Sequence, residues 1–145
     1  MESLEVKSYL NRPKHIFANI VVLQEKIENL RLKMLPRAIN FEKERVQTSP
    51  EDPMPNFGAE IDELDRQMAN LMKEYYESMG EVEKTIREVE NDDIRLILAK
   101  KYVGLKSWDT IENEVNWSRR TIFRRHSLGL VIIKKILDQN TIGTH

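Results

Sequence analysis

The stretch WDTIENEVNWSRRTIFRRH, Trp108–His126, decides the fold. Its first half alternates polar and apolar residues at helical spacing. Ser107 stands before it with a hydroxyl able to accept an amide hydrogen of the first helical turn. Asn116 is a residue that tolerates the left-handed conformation a tight turn needs. Ser118 is placed to cap a second helix, which opens with four arginines in seven positions, Arg119, Arg120, Arg124 and Arg125. A short helix over Trp108–Val115, a turn at 116–118 and a longer helix from Arg119 to about Leu137 are therefore expected.

Advancing about 100° per residue along the second helix sorts its faces. Ile122, His126, Gly129, Leu130, Ile133 and Leu137 share one side, which predicts the core face and a buried, hydrogen-bonded His126. Arg120, Arg124 and Ser127 lie opposite, flanked by Thr121 and Phe123. Leu128, Val131 and Ile132 point away from the trihelical core, so a second contact is expected there, with the N-terminal coil or another subunit. Trp108 and Trp117 bracket the short helix as packing anchors.

Upstream, Asn91 or Asp92 can cap a helix, with Asp93 at the favourable end of its dipole. Ile94, Ile97, Leu98, Tyr102 and Leu105 give that helix an apolar face, and Gly104 is its expected stop. Helix, turn, short helix, turn and long helix within about 45 residues outline a trihelical DNA-binding unit. The arginine fork matches O6 and N7 of guanine, a contact worth about 1–3 kcal/mol of discrimination. Arg120 and Arg124, one turn apart, are the expected base readers. Lys106, Arg119 and Arg125 are expected on phosphates, which give affinity without sequence information. Ser118, Thr121, Phe123 and Ser127 complete the expected DNA-binding surface.

The N-terminal part reads differently. Ile16, Ile20, Leu23, Ile27, Leu30 and Met34 step by 4 and 3, a heptad seam. A separate shorter helix is expected near Glu2–Leu10, and Pro36 should end or kink the seam helix. Residues 36–58, with SPEDPMPNFG, read as loop. A second long helix is expected from about Ala59. It carries Ile61, Leu64, Met68, Leu71, Tyr75, Val82, Ile86 and Val89, with Ser78 or Met79 filling the gap. The expected architecture is all-α: an acidic helical hairpin over 1–90 that also oligomerises, then a helix-turn-helix domain over 91–145. From Asn91 onward ten basic residues face six acidic ones, +4, against thirteen and eighteen before it, −5.

The 145 residues contain no cysteine, which removes disulfides and thiol chemistry, and 32% are charged against 40% hydrophobic, a foldable balance. MESLEVKSYL lacks the pattern of a signal peptide, and no run reaches membrane-span length. No phosphate-cradling glycine loop, nucleophile–base pairing or metal-ligand spacing occurs, so no catalytic residue, metal or cofactor is expected.

The segment from Ile94 to Leu137 resembles the helix-turn-helix of region 4 of sigma-70-type factors. More closely, it resembles small phage regulators of late transcription of the RinA, ArpU and LtrC type. Arg95, Leu98, Tyr102, Trp108, Ile111, Ser118, Arg119, Arg120 and His126 stand at the positions of that motif, and the loop Glu44–Met54 resembles a Val-Gln-x-Ser-Pro segment of such proteins. The chain departs from the pattern at Glu112, where alanine is usual, at Asn116, where glycine is usual, and at Arg125, often apolar. The resemblance implies a phage-encoded activator of late genes acting in the bacterial host cytoplasm. Its partners would be double-stranded DNA, host RNA polymerase and further copies of itself, as dimer or tetramer. The rival readings are a phage small terminase subunit and a coiled-coil interaction protein acting on host polymerase.

Overall fold

A computed structural model describes the backbone of residues 3–41 and 56–143, and the side chains of 5–35 and 56–141. The protein is all-α, without a strand among the described residues. Helix α1 spans Ser3–Phe41 and α2 spans Phe57–Arg87. Helix α3, Asp92–Leu98, runs directly into a π-helical turn, Ala99–Val103. Helices α4, Trp108–Val115, and α5, Arg119–Gly143, follow. Among the described residues, no helix is long and apolar enough to cross a membrane.

Several expected boundaries move. The N-terminal helix and the heptad helix are one continuous α1 that passes through Pro13 and runs beyond Pro36 to Phe41. A proline inside a helix deletes one backbone hydrogen bond and costs about 3 kcal/mol or more. At Pro13 the ring is fully buried, so its apolar surface offsets part of that cost. The expected loop therefore starts later than residue 36, and α2 begins within it, at Phe57. The amide of Ala59 donates to the Asn56 side chain at 3.0 Å, which caps that start. The Val-Gln-x-Ser-Pro segment, 44–54, lies outside the described residues.

The chain divides into two compact units. Residues 16–74 form one, and residues 1–15 with 75–145 form the other. The packing thus ignores a boundary at residue 90, because the ends of both long helices join the C-terminal part.

In the 16–74 unit, Ile16, Ile20, Leu23 and Ile27 are buried on α1 and Ile61 on α2. Leu64, Met68 and Leu71 are half-buried. Side chains of both helices, among them Val22 and Leu23 of α1 and Gln67 and Leu71 of α2, line one groove. The heptad seam opens at its end, where Met34 is exposed.

In the other unit, the main core gathers Val6 and Leu10 of α1, Val82 and Ile86 of α2, Val89, Ile94 and Leu98 of α3, Tyr102, and Leu130 and Ile133 of α5. Ser78, not Met79, is the buried residue that fills the seam of α2. The Tyr9 hydroxyl meets Thr85 Oγ1 at 3.0 Å, and Thr85 in turn donates to the Glu81 carbonyl at 3.0 Å. Helix α2 stops at Arg87, so Val89 is buried from the turn. The Asn91 side chain then caps α3 by accepting from the Ile94 amide at 3.0 Å.

Helices α3 and α5 cross so closely that a Cβ on Gly129 would lie 3.0 Å from Ile94 Cγ2 and from Leu98 Cδ1. This is why glycine occupies the core face of α5. A second cluster joins Ile97, Ile111 and Ile122, with Trp108, Val115 and Trp117 against it.

The turn after the π-helical segment differs from expectation. Gly104 keeps an ordinary φ of −75°, and Leu105 takes the left-handed conformation at φ 53°. Glycine is required at 104 for space, since a Cβ there would sit 2.9 Å from the Lys100 carbonyl oxygen. Leu105, pulled out of helical geometry, is half-buried rather than part of the core face.

Candidate nucleic-acid interface

The short helix α4 has the expected limits. The Thr110 amide donates to Ser107 Oγ at 3.2 Å at its start, and Asn116 closes it with φ 58° and ψ 33°. After the turn, the Thr121 amide donates to Ser118 Oγ at 3.2 Å, so Ser118 caps α5. The same hydroxyl donates to Thr121 Oγ1 at 2.9 Å, which engages both side chains with each other. Helix α5 continues past Leu137 to Gly143.

Its inner face carries Ile122, His126, Gly129, Leu130 and Ile133, all buried, with Leu137 half-buried. His126 Nε2 lies 2.6 Å from the Tyr102 hydroxyl, and its ring stands edge-on to Trp108 at 4.9 Å between centroids. Burial, with the positive charges of Lys7 and Lys101 adding to it, pushes the His126 pKa down to about 4. Burial likewise pushes Tyr102 up to about 12. Both are neutral near pH 7, and the pair ties α5 to the π-helical turn.

The outer face carries Arg120, Arg124, Ser127, Leu128, Val131 and Lys135, all exposed. Phe123 is 42% exposed and rests edge-on against Trp108, ring centroids 5.1 Å apart. Leu128 and Val131 stay uncovered in the described residues, whereas Ile132 is partly buried against the main core. Of the three residues for which a second contact is expected, with the N-terminal coil or another subunit, Ile132 thus packs on this core and Leu128 and Val131 remain exposed.

The five basic residues named for DNA do not share one environment. Arg120 and Arg124 have no carboxylate within ion-pair distance among the described residues. Arg119 lies across the turn on α4: its Nε donates to Glu112 Oε2 at 2.9 Å and its Nη2 pairs with Asp109. Lys106 Nζ meets Glu114 Oε1 at 2.5 Å, and Lys100 Nζ meets the other oxygen of the same carboxylate at 2.5 Å. These two cations hold the Glu114 carboxyl below the usual range. Arg125 stacks on Trp117 at 4.2 Å and approaches Asp93 at 3.6 Å. Its Nη1 is buried without a hydrogen-bond partner.

The three residues expected on phosphates thus each meet a carboxylate within the fold. Sequence reasoning had no place for these pairs, nor for Lys101, whose Nζ sits 4.6 Å over the Trp108 ring. A signal was present in the three acids of α4, Asp109, Glu112 and Glu114, between cations on either side. The five acids from Asp92 to Glu114 are all matched to cations, so the positive excess of this part falls largely on the outer face of α5. Among the described residues, no group of acids and histidines is arranged to hold a metal.

Comparison with family models, with curated proteins and with solved structures finds no match to this chain.

Proposed function

We propose that the protein is a sequence-specific, double-stranded-DNA-binding transcription regulator, in which α4, the turn at 116–118 and α5 act as a helix-turn-helix and α5 enters the major groove. The observation that carries this reading is the pair Arg120 and Arg124. They are exposed, one turn apart and, among the described residues, without a carboxylate partner, whereas Arg119 and Arg125 beside them are matched. Two guanidinium forks at that spacing suit neighbouring base pairs. The capped start of α5 also presents a positive helix end to a phosphate backbone.

The resemblance to the RinA, ArpU and LtrC type extends the proposal. In it the protein activates late genes of a phage inside a bacterial host, with host RNA polymerase as second partner and self-association through the long helices. Footprinting over the encoding genome at stated salt, with parallel native mass, tests both parts. Protected half-sites about one helical turn apart and a dimeric or tetrameric mass are expected. A closed ring of many subunits would favour the small-terminase reading instead. Arg120→Ala with Arg124→Ala should abolish the footprint while leaving the circular dichroism spectrum unchanged. An unaltered footprint would overturn the assignment of base readers.

A further inference from the structure

We infer that α4 is an electrostatic screen: the carboxylates of Asp109 and Glu112 hold Arg119 away from phosphate and so lower the protein's affinity for non-cognate DNA. The inference rests on the DNA-binding reading and assigns a specificity role to acids that the reading leaves without one.

The geometry is that of a clamp across the turn. Arg119 is the first residue of α5, and Glu112 and Asp109 are one helical turn apart on α4, so both present a carboxylate to the same guanidinium. Both ends of the fork are used, Nε by Glu112 and Nη2 by Asp109. The pairing raises the guanidinium pKa, with hydrogen bonds to the two carboxylates as the leading causes. Arg119 is 44% exposed and Asp109 84%, so the clamp stands at the surface where a duplex would approach. Glu114 treats Lys106 and Lys100 in the same manner nearby.

A phosphate must compete with these carboxylates for Arg119 and approach against their charge. Exposed pairs are individually weak, so the screen weakens phosphate binding without forbidding it. Contacts to phosphate are the same on every sequence, whereas base contacts are not. Matching Arg119 internally while leaving Arg120 and Arg124 unmatched therefore shifts the balance of binding toward base reading. Each cation placed on phosphate steepens the dependence of log K on log salt by about 0.9.

A mutant cycle tests the screen. The full chain, Arg119→Ala, Asp109→Asn/Glu112→Gln, and the triple variant are titrated against a random-sequence duplex by fluorescence anisotropy at several salt concentrations. The isosteric amides retain the shape of α4 and lose its charge. Asp109→Asn/Glu112→Gln is expected to bind several-fold to tenfold tighter, with a salt slope steeper by about 1. Adding Arg119→Ala should cancel the steepening, while the same change in the unaltered chain should move the slope by less than half as much. If Arg119→Ala costs as much in both backgrounds, the acids act by plain repulsion and the screen is overturned. If no form binds duplex at any salt, the DNA reading fails. The same cycle on a heparin column then decides the screen: equal shifts in elution salt from Arg119→Ala in both backgrounds overturn it, and a larger shift in the amide background sustains it.

Discussion

His126 shows how one side chain sets a pH limit on the fold. It is buried against Tyr102 and Trp108, and burial holds its pKa at about 4, below the ordinary histidine value of 6.5. The unfolded chain takes up a proton as pH falls through the ordinary histidine range, and the folded chain does not until about 4. The folded state is therefore fully favoured by this residue above pH 6.5 and loses that advantage progressively as pH drops toward 4. The loss amounts to about 3 kcal/mol. Melting temperature measured from pH 7 to pH 4 should fall more steeply for the full chain than for His126→Gln. Parallel curves would overturn this account. Gly129 sets a steric limit in the same helix. Gly129→Ala forces its new methyl against Ile94 and Leu98, and a loss of about 1–3 kcal/mol in urea unfolding is expected.

At the scale of elements, the turn between α4 and α5 depends on one backbone conformation. Asn116 sits at φ 58°, a region open to glycine and asparagine and hostile to β-branched residues. Asn116→Gly should hold stability within a few tenths of a kcal/mol, while Asn116→Val should lose more than about 1 kcal/mol. Thermal unfolding of both variants measures this, and equal melting temperatures would contradict it. This stretch was legible in advance because its signals are local: two serine caps, one asparagine and a face that repeats with the helix. The clamp on Arg119 was not legible. It joins residues seven and ten positions apart, and whether they meet depends on the angle at which α5 leaves the turn. The same holds for Leu105, since only the packed structure shows that the chain reverses there with glycine one position earlier.

At the scale of the whole molecule, the fold class followed from composition and periodicity, and the grouping of helices did not. A separate short helix near Glu2–Leu10 and a change in charge suggested boundaries after residue 10 and near residue 90. Val82 and Ile86 instead share a core with Leu130 and Ile133, and so do Val6 and Leu10, more than a hundred positions away from Leu130 and Ile133 in the chain. Such pairing leaves no trace in any short window of sequence. It has a consequence for dissection of the chain. A fragment of residues 91–145 lacks Val6, Leu10, Val82, Ile86 and Val89, and leaves the apolar faces of α3 and α5 open. Without that burial it should show helical circular dichroism but no cooperative melt. A sharp transition at the melting temperature of the full chain would refute this. Tests of the proposed DNA binding accordingly need the full chain.

The π-helical turn after α3 bears on how the chain tolerates changes in length. Its closing bond runs from the Gly104 amide to the Ala99 carbonyl, 2.8 Å, and spans one residue more than an α-helical bond would. The extra residue gives the adjacent Lys100 and Lys101 separate tasks, one on Glu114 and the other over Trp108. A deletion of Lys100 would let the segment close as an ordinary α-turn and keep the backbone ladder intact. It would forfeit one arm of the Glu114 fork. Residues 92–103 are thus where loss of one codon is expected to leave the helical circular dichroism of the full chain unchanged.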